Sequence, residues 1–72
     1  MTQAETIRTR IRARLLDKGI SLSAWERTEG YTDGFVRKVV SRFAGIDKRP
    51  QKGKTLAIIE ALEQETGIKI CG

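Results

Sequence analysis

Glycines at positions 19, 30, 45, 53 and 67 cut this 72-residue chain into short segments, and that punctuation restricts the fold more than any other feature. Glycine is favoured just past a helix C-terminus, where the backbone takes positive φ. Within the segments, apolar residues recur at helical spacing rather than in strict alternation. The pattern predicts an all-α fold, four short helices around one small core, with residues 1–72 forming a single domain. A domain of this size buries only a modest core, so its helices must pack economically.

In residues 4–18, Ile7, Ile11 and Leu15 form one stripe, Thr2 with Glu5 has the pattern of a capping box, and Gly19 follows as the C-terminal glycine. Arg8 and Arg12 lie on one flank of the stripe, Arg10 and Arg14 on the other; the four are open to contact with a polyanion or to a plain solvated flank. Residues 21–29 read as a second helix with Ser21 as N-cap and Leu22 and Trp25 facing inward, ended by Gly30. A competing capping box, Ser23 with Glu26, would start that helix two residues later. Residues 32–44 read as a third helix, N-capped by Thr32. Phe35, Val36, Val39, Val40 and Phe43 fill one face, while Gly34, Arg37, Lys38 and Ser41 lie opposite, with Arg42 at the edge. Residues 45–53 hold the only proline and form a basic loop, open to a plain connection or a small wing. In residues 54–66, Leu56, Ile58, Ile59 and Leu62 make an apolar face, and Glu60, Glu63 and Glu65 are expected in water. The tail Ile68-Lys69-Ile70 alternates; it can pack on the core, pair with the 45–53 loop or meet a second subunit.

The net charge of +5 is unevenly spread. Residues 1–54 carry 13 basic and 6 acidic side chains, a net +7, and residues 55–72 carry 1 basic and 3 acidic, a net −2. Positive charge concentrated in this way points to a polyanionic partner. There is no histidine, and the single cysteine, Cys71, lies beside the C-terminus, where exposure and inertness are expected. One thiol cannot form a multi-cysteine zinc site. No paired carboxylates, serine nucleophile motif or phosphate-cradling glycine loop is present, so no catalytic residue, metal, cofactor or small-molecule ligand is expected. No apolar run reaches the ~20 residues of a membrane span. No leader of ~7–15 apolar residues opens the chain, which points to the cytoplasm.

Two short helices, 21–29 and 32–44, joined by a turn with Gly30, have the layout of a helix-turn-helix unit spanning about 21–44. In the stretch Leu22–Ser41, Gly30 takes the ninth position, Val36 the fifteenth and Val39 the eighteenth. The sequence KGISLSAWERTEGYTDGFVRKVV resembles the small DNA-binding regulators of Mu-like phages, in particular the Ner-like proteins and phage-associated helix-turn-helix proteins with a Trp in helix two. The residues carrying the likeness are Lys18-Gly19, Ser21-Leu22, Trp25, Gly30-Tyr31, Val36, Val39, Pro50, Lys52-Gly53 and Ala61-Leu62, across residues 15–65. The resemblance implies a four-helix lambda-repressor-like domain acting on phage or prophage promoters in the bacterial cytoplasm or nucleoid. The chain departs from that pattern with Glu26 at the fifth position and Glu29 at the eighth, and with a longer stretch from Phe43 to Gly53. Carboxylates facing a core are costly. Helix two is therefore expected to be rotated or short, or the turn to be longer than usual.

The major groove admits one helix. Base readout is expected from Thr32, Asp33, Gly34, Arg37, Lys38 and Ser41; Asp33 can instead simply stabilise the helix N-terminus. Phosphate contacts are expected from Ser21, Ser23, Tyr31, Arg42, Lys48, Arg49, Lys52 and Lys54. A single reading helix rarely suffices, so a homodimer on double-stranded DNA is expected, joined through the C-terminal helix or tail. The alternative is a small helical interaction module whose basic surface meets an acidic protein.

Overall fold

Four α-helices make up the computed structural model, which describes residues 2–72: α1 Gln3–Asp17, α2 Leu22–Thr28, α3 Phe35–Phe43 and α4 Gly53–Thr66. No strand occurs among the described residues, so the chain is all-α and residues 45–52 form no wing. α1 packs on α3 and α4, α3 also packs on α4, and α2 lies against α3.

Local chemistry sets most of the helix ends. The Thr2 hydroxyl accepts from the Glu5 amide at 3.1 Å, and the Ser21 hydroxyl accepts from the Ala24 amide at 3.1 Å. α2 therefore starts at Leu22, and the Ser23–Glu26 box does not open it. α2 stops because Gly30 takes φ +83, a left-handed turn that a side chain would strain. That turn lets Gly30 N–H reach the Arg27 carbonyl at 3.0 Å and Tyr31 N–H reach the Glu26 carbonyl at 3.1 Å. This paired bonding satisfies carbonyls that the helix end would otherwise leave bare. α1 ends with the same pairing, Gly19 to Leu16 and Ile20 to Leu15.

The core joins Ile11 and Leu15 of α1, Trp25 of α2, Val36, Val39 and Val40 of α3, and Ile58, Ile59 and Leu62 of α4. The tail completes it with Ile70 and Cys71. Gly45 N–H donates to the Ile70 carbonyl at 2.9 Å, and Gly72 N–H to the Ile46 carbonyl at 2.8 Å. The tail thus packs on the core and pairs with the start of the 45–53 loop at once. Cys71 is only 3 % exposed, contrary to the exposure expected from its position.

Glu63 causes that burial, and it does not simply face water as expected. Its Oε2 accepts from the Ile70 amide at 2.9 Å and from Arg49 Nη1 at 3.0 Å, while Arg49 Nη2 bonds Oε1. Arg49 Nη1 also donates to the Cys71 carbonyl at 3.3 Å. One carboxylate therefore ties α4, the loop and the tail together. Glu65 likewise pairs with Lys18 across α1 and α4 at 3.4 Å, an exposed contact of little energetic weight.

The Arg49 hydrogen bonds hold the Glu63 carboxyl below its ordinary range; partial burial opposes this and the Ile70 N–H adds to it. A lowered folded value means that the tie contributes fully above the unfolded carboxylate pKa of about 4.3. Its contribution is lost as pH falls through the lower folded value. Wild type should therefore melt higher than Glu63→Gln at neutral pH, and the gap should close over the acid interval below about pH 4.3. A gap that stays constant across that interval would exclude the carboxylate as its source.

Candidate nucleic-acid interface

α3 does not start where its sequence pattern suggests. Thr32, Asp33 and Gly34 precede the helix, and the connection from α2 runs through residues 29–34. That is longer than the three or four residues of the usual helix-turn-helix turn. Thr32 is not the side-chain cap; its carbonyl accepts from the Phe35 amide at 3.0 Å. Gly34 takes the N-cap position at φ +84, in the left-handed region open to glycine.

The capping group comes from α2. Glu26 Oε1 accepts from the Gly34 amide at 2.6 Å, and Oε2 accepts from the Val36 amide at 2.6 Å. The residue is only 2 % exposed. The desolvation cost that made Glu26 look misplaced is offset by two charge-assisted bonds and by the positive end of the α3 dipole. Helix two is short, the turn is long, and Glu26 bridges the difference. Glu29, the other departure, is exposed. Spacing along α2 could mark Glu26 as inward-facing, but nothing local marks its partners eight and ten residues ahead.

With its start held, α3 buries Val36, Val39 and Val40 and half-buries Phe35 and Phe43. Arg37, Lys38, Ser41 and Arg42 are exposed. At 3.6 residues per turn these four share one arc of the helix. The Arg42 guanidinium lies 5.8 Å from the Phe43 ring centroid, a cation–π arrangement. Tyr31 packs its half-buried ring 6.2 Å from that of Phe35.

A cleft of about 300 Å³ brings together five of the expected contact residues: Ser21, Ser23, Asp33, Gly34 and Arg37. Arg12 and Leu16 of α1 close its far side, and Leu16 is 65 % exposed there. Arg8 Nη1 donates to the Ser41 hydroxyl at 3.2 Å, so the Arg8–Arg12 flank of α1 adjoins the exposed arc of α3. Arg10 and Arg14 open instead onto a separate groove beside the tail.

Lys48, Lys52 and Lys54 are exposed in the loop and at the start of α4, outside the cleft. Arg49 is different from the other expected phosphate ligands. Glu63 and the Cys71 carbonyl occupy its guanidinium, so its role is to hold the tail. Among the described residues the ion pairs are Lys18–Glu65 and Arg49–Glu63. Arg8, Arg12, Arg37, Lys38 and Arg42 enter none of them.

No cluster of three or more His, Cys, Asp or Glu suited to a metal ion occurs among the described residues. No helix among them is long and apolar enough to cross a membrane. Comparison of the chain with family models, curated proteins and solved structures finds no match in any of the three.

Proposed function

We propose that this chain is a sequence-specific double-stranded DNA-binding regulator whose helix α3 enters the major groove. One observation carries the proposal: α3 is anchored by three buried valines on one side and exposes only Arg37, Lys38, Ser41 and Arg42 on the other, with no acid and no ion pair. A rigid rod with a cationic, hydrogen-bonding face suits both groove width and phosphate charge.

Arg37 and Lys38 are the readers of guanine edges, and Ser41 reaches a base or a phosphate. Thr32, Asp33 and Gly34 lead into the groove ahead of the helix, where Asp33 can accept from a cytosine amino group. Ser21, Ser23, Tyr31, Arg42, Lys48, Lys52 and Lys54 contact the backbone, and Arg49 leaves that set. Glu26 already fills the positive end of α3, so backbone contacts fall to side chains rather than to that helix terminus. Promoters of a phage or prophage are the proposed targets, and the bacterial cytoplasm or nucleoid the proposed location. Both follow from the sequence resemblance alone.

Two copies bind together on DNA in this proposal. Ile70 and Cys71 are used within the fold, so contact between copies falls to the outer face of α4 and to Ile46, exposed beside the tail. Selection of bound duplexes from a random pool, at two salt concentrations, tests both parts. The expected result is one enriched motif with two half-sites centred about 10 base pairs apart. Absence of any enriched motif would overturn specific recognition, and a single unrepeated half-site would overturn the dimer.

A further inference from the structure

We propose that α1 provides a second row of contacts to the same duplex, with Arg8 and Arg12 binding backbone phosphates beside the groove that α3 enters. The inference rests on the DNA-binding reading above and extends the interface to a helix outside the helix-turn-helix unit. Three observations carry it. Four-residue spacing places the two arginines on one flank of α1, and the Arg8 bond to Ser41 joins that flank to the reading face of α3. Arg12 and Arg37 line the same cleft from opposite helices. Neither Arg8 nor Arg12 takes part in an ion pair among the described residues.

The row is also stiff where it matters. Ile11 and Leu15, between and beyond the two arginines, are fully buried, so α1 cannot roll relative to α3. Arg8 is half-buried, so part of its side chain is already ordered before DNA arrives. The acid at the rim of the cleft is Asp33, because the Glu26 carboxylate is consumed by the α3 amides. Contacts from such a row fix the position of the protein on the duplex and carry no sequence information.

The opposite flank provides an internal control. Arg10 and Arg14 have the same charge on the same helix but face the groove beside the tail. The full-length chain would be titrated with a duplex recovered from the random pool and with an unrelated duplex of equal length, over a series of salt concentrations. Arg8→Ala with Arg12→Ala should lower the slope of log affinity against log salt by about 1.8, at about 0.9 per phosphate. It should weaken both duplexes by the same factor. Arg8→Lys with Arg12→Lys should restore most of the slope. Arg10→Ala with Arg14→Ala should leave the slope unchanged.

Equal changes from the two alanine pairs would reduce the effect to net charge and overturn the inference. So would an unchanged slope in the Arg8/Arg12 pair when wild type binds duplex. Failure of wild type itself to bind duplex, with capture of an acidic protein surface instead, would overturn the DNA reading first and this inference with it. Circular dichroism melting of each variant separates lost contacts from lost fold.

Discussion

Replacing Glu26 with alanine should cost this domain about 2–6 kcal/mol, since each stranded amide costs about 1–3 kcal/mol and two lose their acceptor at once. The Gly34 and Val36 amides would lose their acceptor, and the Val36 bond lies in the interior, where water cannot replace it. A chain of this length has a total stability of roughly 4–11 kcal/mol at 0.05–0.15 kcal/mol per residue. The loss is therefore a large fraction of the whole, and the urea midpoint should fall accordingly. Glu26→Gln should lie between alanine and wild type, because its amide oxygen can accept one bond while its NH₂ meets the other donor. A Glu26→Ala protein within about 0.5 kcal/mol of wild type, the range of neutral surface changes, would mean that the carboxylate does not hold α3.

The same residue links stability to the proposed function. α3 has nine residues, Phe35–Phe43, and an isolated helix of that length is not stable in water. Its start is held by a carboxylate from the preceding helix, and its body by Val36, Val39 and Val40. A loosened start would let Arg37 sample many orientations, because the carboxylate that holds the Gly34 and Val36 amides is gone. Variants at Glu26 should therefore weaken DNA binding in proportion to their loss of stability.

The chemistry of capping was legible in the sequence wherever it was local. Thr2, Ser21, Gly19, Gly30 and Gly67 mark helix ends within a residue or so, because each acts on amides or carbonyls a few positions away. The apolar faces of α3 and α4 followed from helical spacing for the same reason. What remained hidden depended on partners distant in the chain. Glu26 looks like a misplaced charge in the sequence because its amide partners lie beyond the turn, and helical spacing places the start of α3 at Thr32, three residues ahead of Phe35. Glu63 looked solvated on a helical wheel because Arg49, fourteen residues earlier, and Ile70, seven later, reach it only after the loop and tail fold back. The burial of Cys71 follows from that tie, so it was hidden too. The exposed arc of α3 is visible from period alone; which pair of α1 arginines adjoins it, Arg8 and Arg12 rather than Arg10 and Arg14, needed the packing of the two helices.

Arg37→Ala should cost about 1–3 kcal/mol on the preferred duplex and flatten base preference at one position of each half-site. The guanidinium is exposed, outside any ion pair among the described residues, and set at the mouth of the cleft on the anchored helix. Those properties suit a bidentate approach to guanine O6 and N7, which lysine or alanine cannot reproduce. Lys52→Ala removes the same unit of charge from a residue at the N-cap of α4, away from the reading face. It should weaken every duplex by a common factor and reduce the salt slope by about 0.9, with base preference intact. Because the two variants lose equal charge, electrostatics alone predicts the same outcome for both. A difference confined to base preference isolates hydrogen-bonded readout by Arg37, whereas equal and uniform losses would place both side chains on the phosphate backbone and move recognition to other residues of the α3 face.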